Sequence, residues 1–355
     1  MKNGNGIDLN AGMACPIPIS DYKKVLLAHG GGGRLSQRLI NEMFVTQFRN
    51  EHLDTLHDGA ILSVNNARLA FSTDSFVISP LFFPGGDIGT LAVNGTVNDL
   101  AMCGATPLYL SAAFIIEEGF SMDDLWKIVL SMKEAAGRAG VQLVTGDTKV
   151  VDKGKGDKIF INTSGIGSIP DGIDINPKNA RAGDKIILSG TIADHGMAIM
   201  SVRENLEFET ELKSDCAPLN TLVLAMFAAG KRIHVLRDPT RGGVAGALNE
   251  IAGSAHVGIM LDEAKIPVSE AVQSACEILG FDPLYVANEG KLLAIVGKDE
   301  SERILSAMQA HPLGKNAVVI GEVTMEDSGT VLMKSRIGGT RVVDMLSGEQ
   351  LPRIC

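Results

Sequence analysis

Arg237-Asp238-Pro239-Thr240-Arg241-Gly242-Gly243, running straight into the apolar stretch Val244 to Ala252, has the form of a turn that delivers the chain to a helix N-terminus. A second copy of this arrangement stands near the start. There Val25-Leu26-Leu27-Ala28 leads into His29-Gly30-Gly31-Gly32-Gly33-Arg34, after which Leu35, Leu39, Ile40, Met43 and Phe44 recur at helical spacing. Such helix starts present unpaired amides and the positive end of the helix dipole, a setting that suits phosphate groups. A glycine turn in each half of a 355-residue chain fits two domains, since single cores rarely grow past about 250 to 300 residues.

Between and beyond these turns, strand and helix patterns alternate. Arg68 to Asp74 reads as a strand running out to an acid, and Gly85-Gly86-Asp87 opens a helix carrying Asn94, Asn98 and Asp99. Leu108 to Ile116 reads as a buried strand, and Asp123 to Arg138 as an amphipathic helix with Leu125, Ile128, Val129 and Met132 inward. Val141 to Val144 reads as a strand ending at Thr145-Gly146-Asp147-Thr148-Lys149. Further on come a strand at Lys185 to Gly190, helices near Gly196 to Glu204 and Asp215 to Ala229, and strands at Val257 to Met260 and Lys291 to Val296. The last two flank a helix near Val268 to Leu279 and the turn Ala287-Asn288-Glu289-Gly290. The predicted fold class is α+β, built of α/β layers. The Pro, Gly, Asp and Asn-rich span Ile169 to Asp184 separates an N-terminal domain (21–169) from a C-terminal one (180–346), between a loose extension (1–20) and a mobile tail (347–355).

Composition narrows the function. The chain is 45% hydrophobic with mean hydropathy +0.16, so it folds compactly, and its forty glycines against three tyrosines and one tryptophan favour tight turns over aromatic binding surfaces. A net charge of -10 excludes a basic footprint for nucleic acid or anionic membrane. No signal peptide or membrane span is expected, because the most apolar region, Leu91 to Ile116, is interrupted by Asn94, Asn98, Asp99 and Pro107. Five scattered cysteines, Cys15, Cys103, Cys216, Cys276 and Cys355, lack zinc spacing and suit a reducing cytoplasm.

Asp74, Asp99, Asp147 and Asp238, with Asn98 beside one of them, supply hard oxygen ligands of the kind magnesium takes when it bridges protein to nucleotide phosphates. Amides of the glycine turns, with Arg34 or Arg241, could hold the phosphates themselves. No Walker loop or dinucleotide fingerprint is present. The chain stops on Leu351-Pro352-Arg353-Ile354-Cys355, a thiol at its most mobile point. Ser347 to Cys355 spans at most roughly 30 Å when extended, enough to carry that sulfur into an active site.

Those motifs, together with Ser72-Thr73-Asp74-Ser75, Pro80-Leu81-Phe82-Phe83-Pro84-Gly85-Gly86, Gly146-Asp147-Thr148-Lys149 and Asn288-Glu289-Gly290-Lys291, resemble the HypE family, the carbamoyl dehydratases of [NiFe]-hydrogenase maturation. The family lies within the aminoimidazole ribonucleotide synthetase and selenophosphate synthetase superfamily, and Pro352-Arg353-Ile354-Cys355 is the most specific match. The resemblance implies a homodimer whose N-terminal halves join strands into a central barrel. It also implies an ATP-dependent reaction on the protein's own tail. The carbamoyltransferase HypF would load a carbamoyl group onto Cys355, this chain would dehydrate it to a thiocyanate, and the cyano group would pass to iron on the HypC-HypD scaffold.

By the same resemblance, Asp74, Asp99, Asp147 and Asp238 would hold Mg2+, assisted by Asn98, and Glu289 would be the base. Lys149 would offset charge developing on oxygen and phosphate. Gly30, Gly31, Gly32, Gly33, Thr73, Thr148, Arg241, Gly242 and Gly243 would complete the ATP site. Two rivals remain at this level: a small-molecule enzyme of the superfamily, such as selenophosphate synthetase or thiamine monophosphate kinase, for which Cys355 is dispensable, and a non-catalytic nucleotide-binding scaffold.

Overall fold

The computed structural model describes residues 24–206 and 212–346; the extension 1–20 with Cys15 and the tail 347–355 with Cys355 lie outside the described residues. A tight turn, Leu27–Gly30, precedes a helical stretch made of α1 (Arg34–Arg38), a widened π turn (Leu39–Val45) and α2 (Thr46–Phe48). Ile40, Phe44 and Phe48 stay exposed on it, so the apolar period forms a helix without burying its face.

The first sheet begins with β1 (Ala60–Val64) and β2 (Ala67–Phe76), joined across Asn65 and Asn66, both at positive φ as a two-residue hairpin turn requires. A small ribbon of β3 (Phe82–Phe83) and β4 (Gly86–Asp87) follows, and the Asp87 side chain caps α3 (Ile88–Met102) by accepting from the Thr90 N–H. Then come β5 (Thr106–Glu117), α4 (Met122–Ala139), β6 (Gln142–Val151) and β7 (Ile159–Ser168). The strands order as β1-β2-β7-β5-β6, antiparallel except for β5 with β6.

Every residue of α3 except Asp99 is buried. Its far end, Ala101 and Met102, packs with Ile187, Leu222 and Met226 of the C-terminal half, so one helix serves both cores. Three expectations change here. β5 is only partly buried, Val129 of α4 faces out, and β6 runs on through Gly146-Asp147-Thr148-Lys149 with Gln142 to Val150 exposed. Gly146 pairs with Ala112 of β5, and this strand position takes glycine because a Cβ there would come within 2.4 Å of the Ala112 carbonyl oxygen.

The second sheet uses β8 (Lys185–Leu188), then, after α5 (Asp194–Arg203) and α6 (Asn220–Ala229), β9 (Ile233–Arg237). α7 (Gly243–Ala255), β10 (Gly258–Asp262), α8 (Glu270–Leu279), β11 (Leu293–Val296), α9 (Ser301–Ala310), β12 (Val318–Thr324), β13 (Val331–Lys334) and β14 (Thr340–Val342) complete it. The order is β14-β13-β10-β12-β8-β11-β9, antiparallel except for β10 with β13.

Alternation in β8 sends Ile186 and Leu188 toward Val244 and Leu248 of α7, and Ile187 toward α6 and α9 on the other face. α6 starts at Asn220 rather than near Asp215, because Pro218 disfavours helix at the residue before it.

Candidate active site

Three carboxylates converge where the two halves meet. Asp58, in the loop before β1, Asp99, the one residue of α3 that is only partly buried, and Asp238, directly after β9, place an oxygen each within 4.8 Å of one another. Hydrogen bonds fix the geometry: Ser72 Oγ donates to Asp99 Oδ2 at 2.7 Å and lies 3.0 Å from the Asp58 carbonyl oxygen. Arg237 is the fixed cation of the group, 2.6 Å from Asp58 and also paired with Glu250. The acids still strain against one another. Burial, then the charges of Asp238, Asp58 and Asp74, pushes Asp99 well above the usual carboxylate range. Burial, then Asp58, pushes Asp238 up to about 7.

Asp74 sits half-buried in β2, raised by burial against the pull of Arg241, whose guanidinium lies 4.0 Å away. Asp58 Oδ2 is buried with no hydrogen-bond partner among the described residues. Crowded hard oxygens with an unpartnered one among them are what a divalent cation satisfies.

The two glycine turns touch beside this cluster. Gly32, at φ +74, packs so closely on Arg241 that a Cβ would fall 2.9 Å from its carbonyl carbon, and a Cβ on Gly242 would lie 3.2 Å from the Gly32 oxygen. Gly243, at φ +61, opens α7. The C-terminal segment leaves from the same corner. Arg34 N–H donates to the Leu346 carbonyl at 2.9 Å, the Arg34 side chain pairs with Asp344, and a Cβ on Gly33 would collide with the Leu346 oxygen at 2.5 Å. The root of the tail therefore rests on the first glycine turn.

Glu289 is buried near Asp238. Its neighbour Asn288 donates from Nδ2 to the Pro239 carbonyl (3.0 Å) and accepts the Ala193 N–H (2.8 Å), which ties the 286–291 loop to the Asp238 turn. The Glu289 N–H donates to Asp215 Oδ1 at 3.0 Å, and Lys291 Nζ holds the other oxygen of Asp215 at 3.1 Å. Burial, then Asp238, Asp215 and Asp74, raises Glu289 well above its ordinary value, against the pull of Arg241. A carboxyl so placed gains a proton readily, which is what a base must do.

Not every expected residue joins this corner. Asp147 is exposed on β6, gripped by Lys149 at 2.7 Å and held below the usual range by that hydrogen bond, and it is outside the three-acid cluster. Thr148 and Lys149 are exposed beside it. Asn98 is engaged by the chain itself: its Nδ2 donates to the Ala217 carbonyl (3.1 Å) and its Oδ1 accepts from the Leu219 N–H (2.8 Å), so its amide braces the 217–219 segment. Thr73 is exposed on β2, sharing hydrogen bonds with Asn162 and Ser164. Conversely, the sequence reading missed Asp58 and the bracing roles of Arg237, Asp215 and Lys291. Only the residue types of Leu56-His57-Asp58-Gly59 hinted at Asp58, and an Asp-Gly pair before a strand reads first as a turn.

Residues 56–169 match the model of the AIR synthase related protein N-terminal domain, and residues 181–334 that of the corresponding C-terminal domain. The carbamoyl dehydratase HypE of Cupriavidus necator is 56% identical over 333 residues, covering 94% of this chain and 95% of that protein. A crystal structure of a HypE-HypF complex aligns at 54% identity with TM-score 0.83, covering 87% of this chain and 99% of that one. A crystal structure of the hydrogenase maturation protein HypE in complex with ATP aligns at 49% identity with TM-score 0.80, covering 94% of this chain and 100% of that one.

Proposed function

This chain belongs to the HypE family of carbamoyl dehydratases, and from that premise we propose that it uses ATP to dehydrate a carbamoyl group on the sulfur of its own Cys355, yielding a thiocyanate for the iron of a [NiFe]-hydrogenase. One observation carries the reading: the acid cluster, both glycine turns and the root of the C-terminal segment at Leu346 share a single corner.

An amide oxygen is a poor leaving group. Transfer of the terminal phosphoryl group of ATP onto that oxygen makes it leave as phosphate, while nitrogen gives up both protons and keeps their electron pairs as the new carbon-nitrogen bonds. Asp58, Asp99 and Asp238, with Asp74 alongside, would hold Mg2+, and the unpartnered Asp58 oxygen fits such an ion. Magnesium, when bound, neutralises phosphate charge during phosphoryl transfer. Gly30 to Gly33, Gly242 and Gly243 would approach the phosphates, with Arg241 adding charge, and Glu289 would take a proton from nitrogen.

Asp147, Thr148 and Lys149 stand on β6, whose outer edge has no partner among the described residues and whose own Leu143, Val144 and Val150 are exposed. That supports a homodimer in which strands of two copies pair and β6 residues reach a phosphate site across the interface. HypF would load the thiol and the HypC-HypD scaffold would take the cyano group. A HypE relative forms a complex with HypF, as one solved structure records. A cytoplasmic setting suits such chemistry, and no described helix is long and apolar enough to cross a membrane.

The test is intact mass of the full chain incubated with HypF, a carbamoyl donor and Mg-ATP. A carbamoyl adduct should appear and then lose one water, and Cys355→Ala should bind ATP normally yet show neither mass. Phosphorylation of a small molecule by the Cys355→Ala variant would favour the small-molecule enzyme instead.

A further inference from the structure

Asp58 stands outside the sheet. The ladder of β1 with β2 begins at Ala60, and residues 56–59 lie in no helix or strand, so no ladder bond fixes this loop. Other contacts hold Asp58 at nearly every polar atom. Arg237 reaches Oδ1 at 2.6 Å, and the Ser72 hydroxyl, given to Asp99 at 2.7 Å, lies 3.0 Å from the Asp58 carbonyl oxygen. The Asp58 N–H donates to His57 Nδ1 at 2.8 Å. Oδ2 alone is left without a hydrogen-bond partner among the described residues.

The imidazole is itself fixed. Its side chain is 1% exposed, and Nε2 lies 3.2 Å from the Ile175 carbonyl oxygen. A backbone N–H only donates and a carbonyl only accepts, so the two contacts select one state: a neutral ring with its hydrogen on Nε2 and a lone pair on Nδ1. The Cys103 thiol, 3.8 Å from Nδ1, has the Gly59 carbonyl at 3.6 Å as its own acceptor and leaves that state unchanged. Ile175 is a firm anchor. Its side chain packs with Ile187, Leu222 and Met226, and the adjoining Asn176 N–H donates to the His234 carbonyl of β9 at 3.1 Å. β9 ends at Arg237 and leads into Asp238, so through His57 the Asp58 loop is referred to the strand that carries Asp238. With both ring nitrogens engaged inside the chain, His57 is no ligand itself.

We propose that His57 is a positioning residue for the metal site: its Nδ1 pins the Asp58 peptide and so keeps that carboxylate in reach of Asp99 and Asp238, while the Nε2–H bond to Ile175 fixes the ring and its tautomer. This rests on the magnesium reading above. Three crowded acids repel, and a loop without ladder bonds yields to that repulsion unless its backbone is tied. Partners one step out from a metal ligand typically set metal affinity by about 10–100-fold.

Two substitutions separate the two bonds. In His57→Asn the amide oxygen takes the place of Nδ1 and nothing reaches Ile175; in His57→Gln the amide nitrogen takes the place of Nε2 and nothing meets the Asp58 N–H. Each full-length variant is titrated by calorimetry with a non-hydrolysable ATP analogue, with and without Mg2+, and melted without metal. Each loses one buried hydrogen bond, so both should melt lower by similar amounts. The affinity gained from Mg2+ should fall about tenfold in His57→Gln and stay near native in His57→Asn, with metal-free affinity for the analogue unchanged in both. Equal gains in the two variants, or the loss falling on His57→Asn instead, would overturn the proposal. In the native chain, the nitrogen-15 imidazole spectrum should show Nδ1 bare and Nε2 protonated, the His57 signals being those absent from either variant. A proton on Nδ1 would overturn the proposal whatever the variants do. No Mg2+-dependent gain in the native chain would instead remove the magnesium reading.

Discussion

Gly290 separates Glu289 from Lys291 at the tightest approach between two loops of the site. A Cβ on it would lie 1.7 Å from the Asp215 carbonyl oxygen and 3.0 Å from the Ala217 N. Both obstacles are backbone, so no rotamer change relieves them. Gly290→Ala must part the 286–291 loop from the 214–217 segment by roughly 1.5 Å to restore ordinary contact. That stretches the Glu289 N–H to Asp215 bond from 3.0 Å and the Ala217 N–H to Glu289 carbonyl bond from 3.4 Å, and carries the Glu289 carboxyl with it. A misplacement of about 1 Å can cost on the order of a hundredfold in rate.

Overpacking of this kind also costs about 1–3 kcal/mol of stability, which calls for a matched control. Gly280→Ala provides it: φ is +73 there and nothing lies within 4 Å, so the left-handed backbone costs about 1–2 kcal/mol with no effect on the site. Melting temperature and single-turnover thiocyanate formation at saturating Mg-ATP should be measured on both. Similar destabilisation is expected in the two variants, with the rate lost only in Gly290→Ala. Native turnover by folded Gly290→Ala would refute the claim that this loop spacing sets the position of the base.

Two further outcomes follow from the acid cluster. Asp99→Asn removes one of the charges that crowd Asp238 and Asp58, so the metal-free protein should melt at an unchanged or higher temperature while the stabilisation by Mg-ATP is lost; a lower metal-free melting point would contradict the repulsion described. The second outcome is a pH dependence. Burial, then the charge of Asp58, pushes Asp238 up to about 7, against an ordinary value of 3.8. The folded state thus holds a proton that the unfolded state has lost, and metal-free stability should fall as pH rises through that interval. Magnesium competes with that proton, so its effect on the melting temperature should be larger near pH 8 than near pH 6, and an equal shift at both would count against Asp238 as a ligand.

The glycine turns, Asp99 and Asp238 were legible because each belongs to a short contiguous pattern whose physics is local. Asp58 was not. Its place depends on Arg237, far along the chain, and on Ser72, and no local spacing announces such partners. Asp147 is the opposite case. The pattern of acids at element ends assumed that β6 stops before Gly146, whereas the ladder with β5 runs on through Val151, and glycine reads as a break although it is the residue that fits this close approach. Asn98 looked like a ligand beside Asp99, yet consecutive helix residues point in different directions, and Asn98 turns to the loop that Pro218 keeps from joining α6.

The cost of the site explains why it is built across both halves. Asp58, Asp99 and Asp238 face one fixed cation, Arg237, and Arg237 also serves Glu250, so the cluster remains short of positive charge. No single hairpin or helix end could hold three such acids together unaided. α3 does it by being buried on every side but one and by sharing its residues between two cores, so that repulsion at Asp99 is resisted by apolar packing along the whole helix. The same helix carries Asn98 one residue before Asp99, where its amide reaches the carbonyls of Ala217 and Glu289 and so ties the acid cluster to the 286–291 loop. On the reading proposed above, a bound divalent cation would supply the positive charge that this corner lacks, and the tail would begin beside it, since Leu346 rests on the first glycine turn. Nucleotide loading and thiol delivery would then be coupled through shared position alone, with no need for a long-range signal.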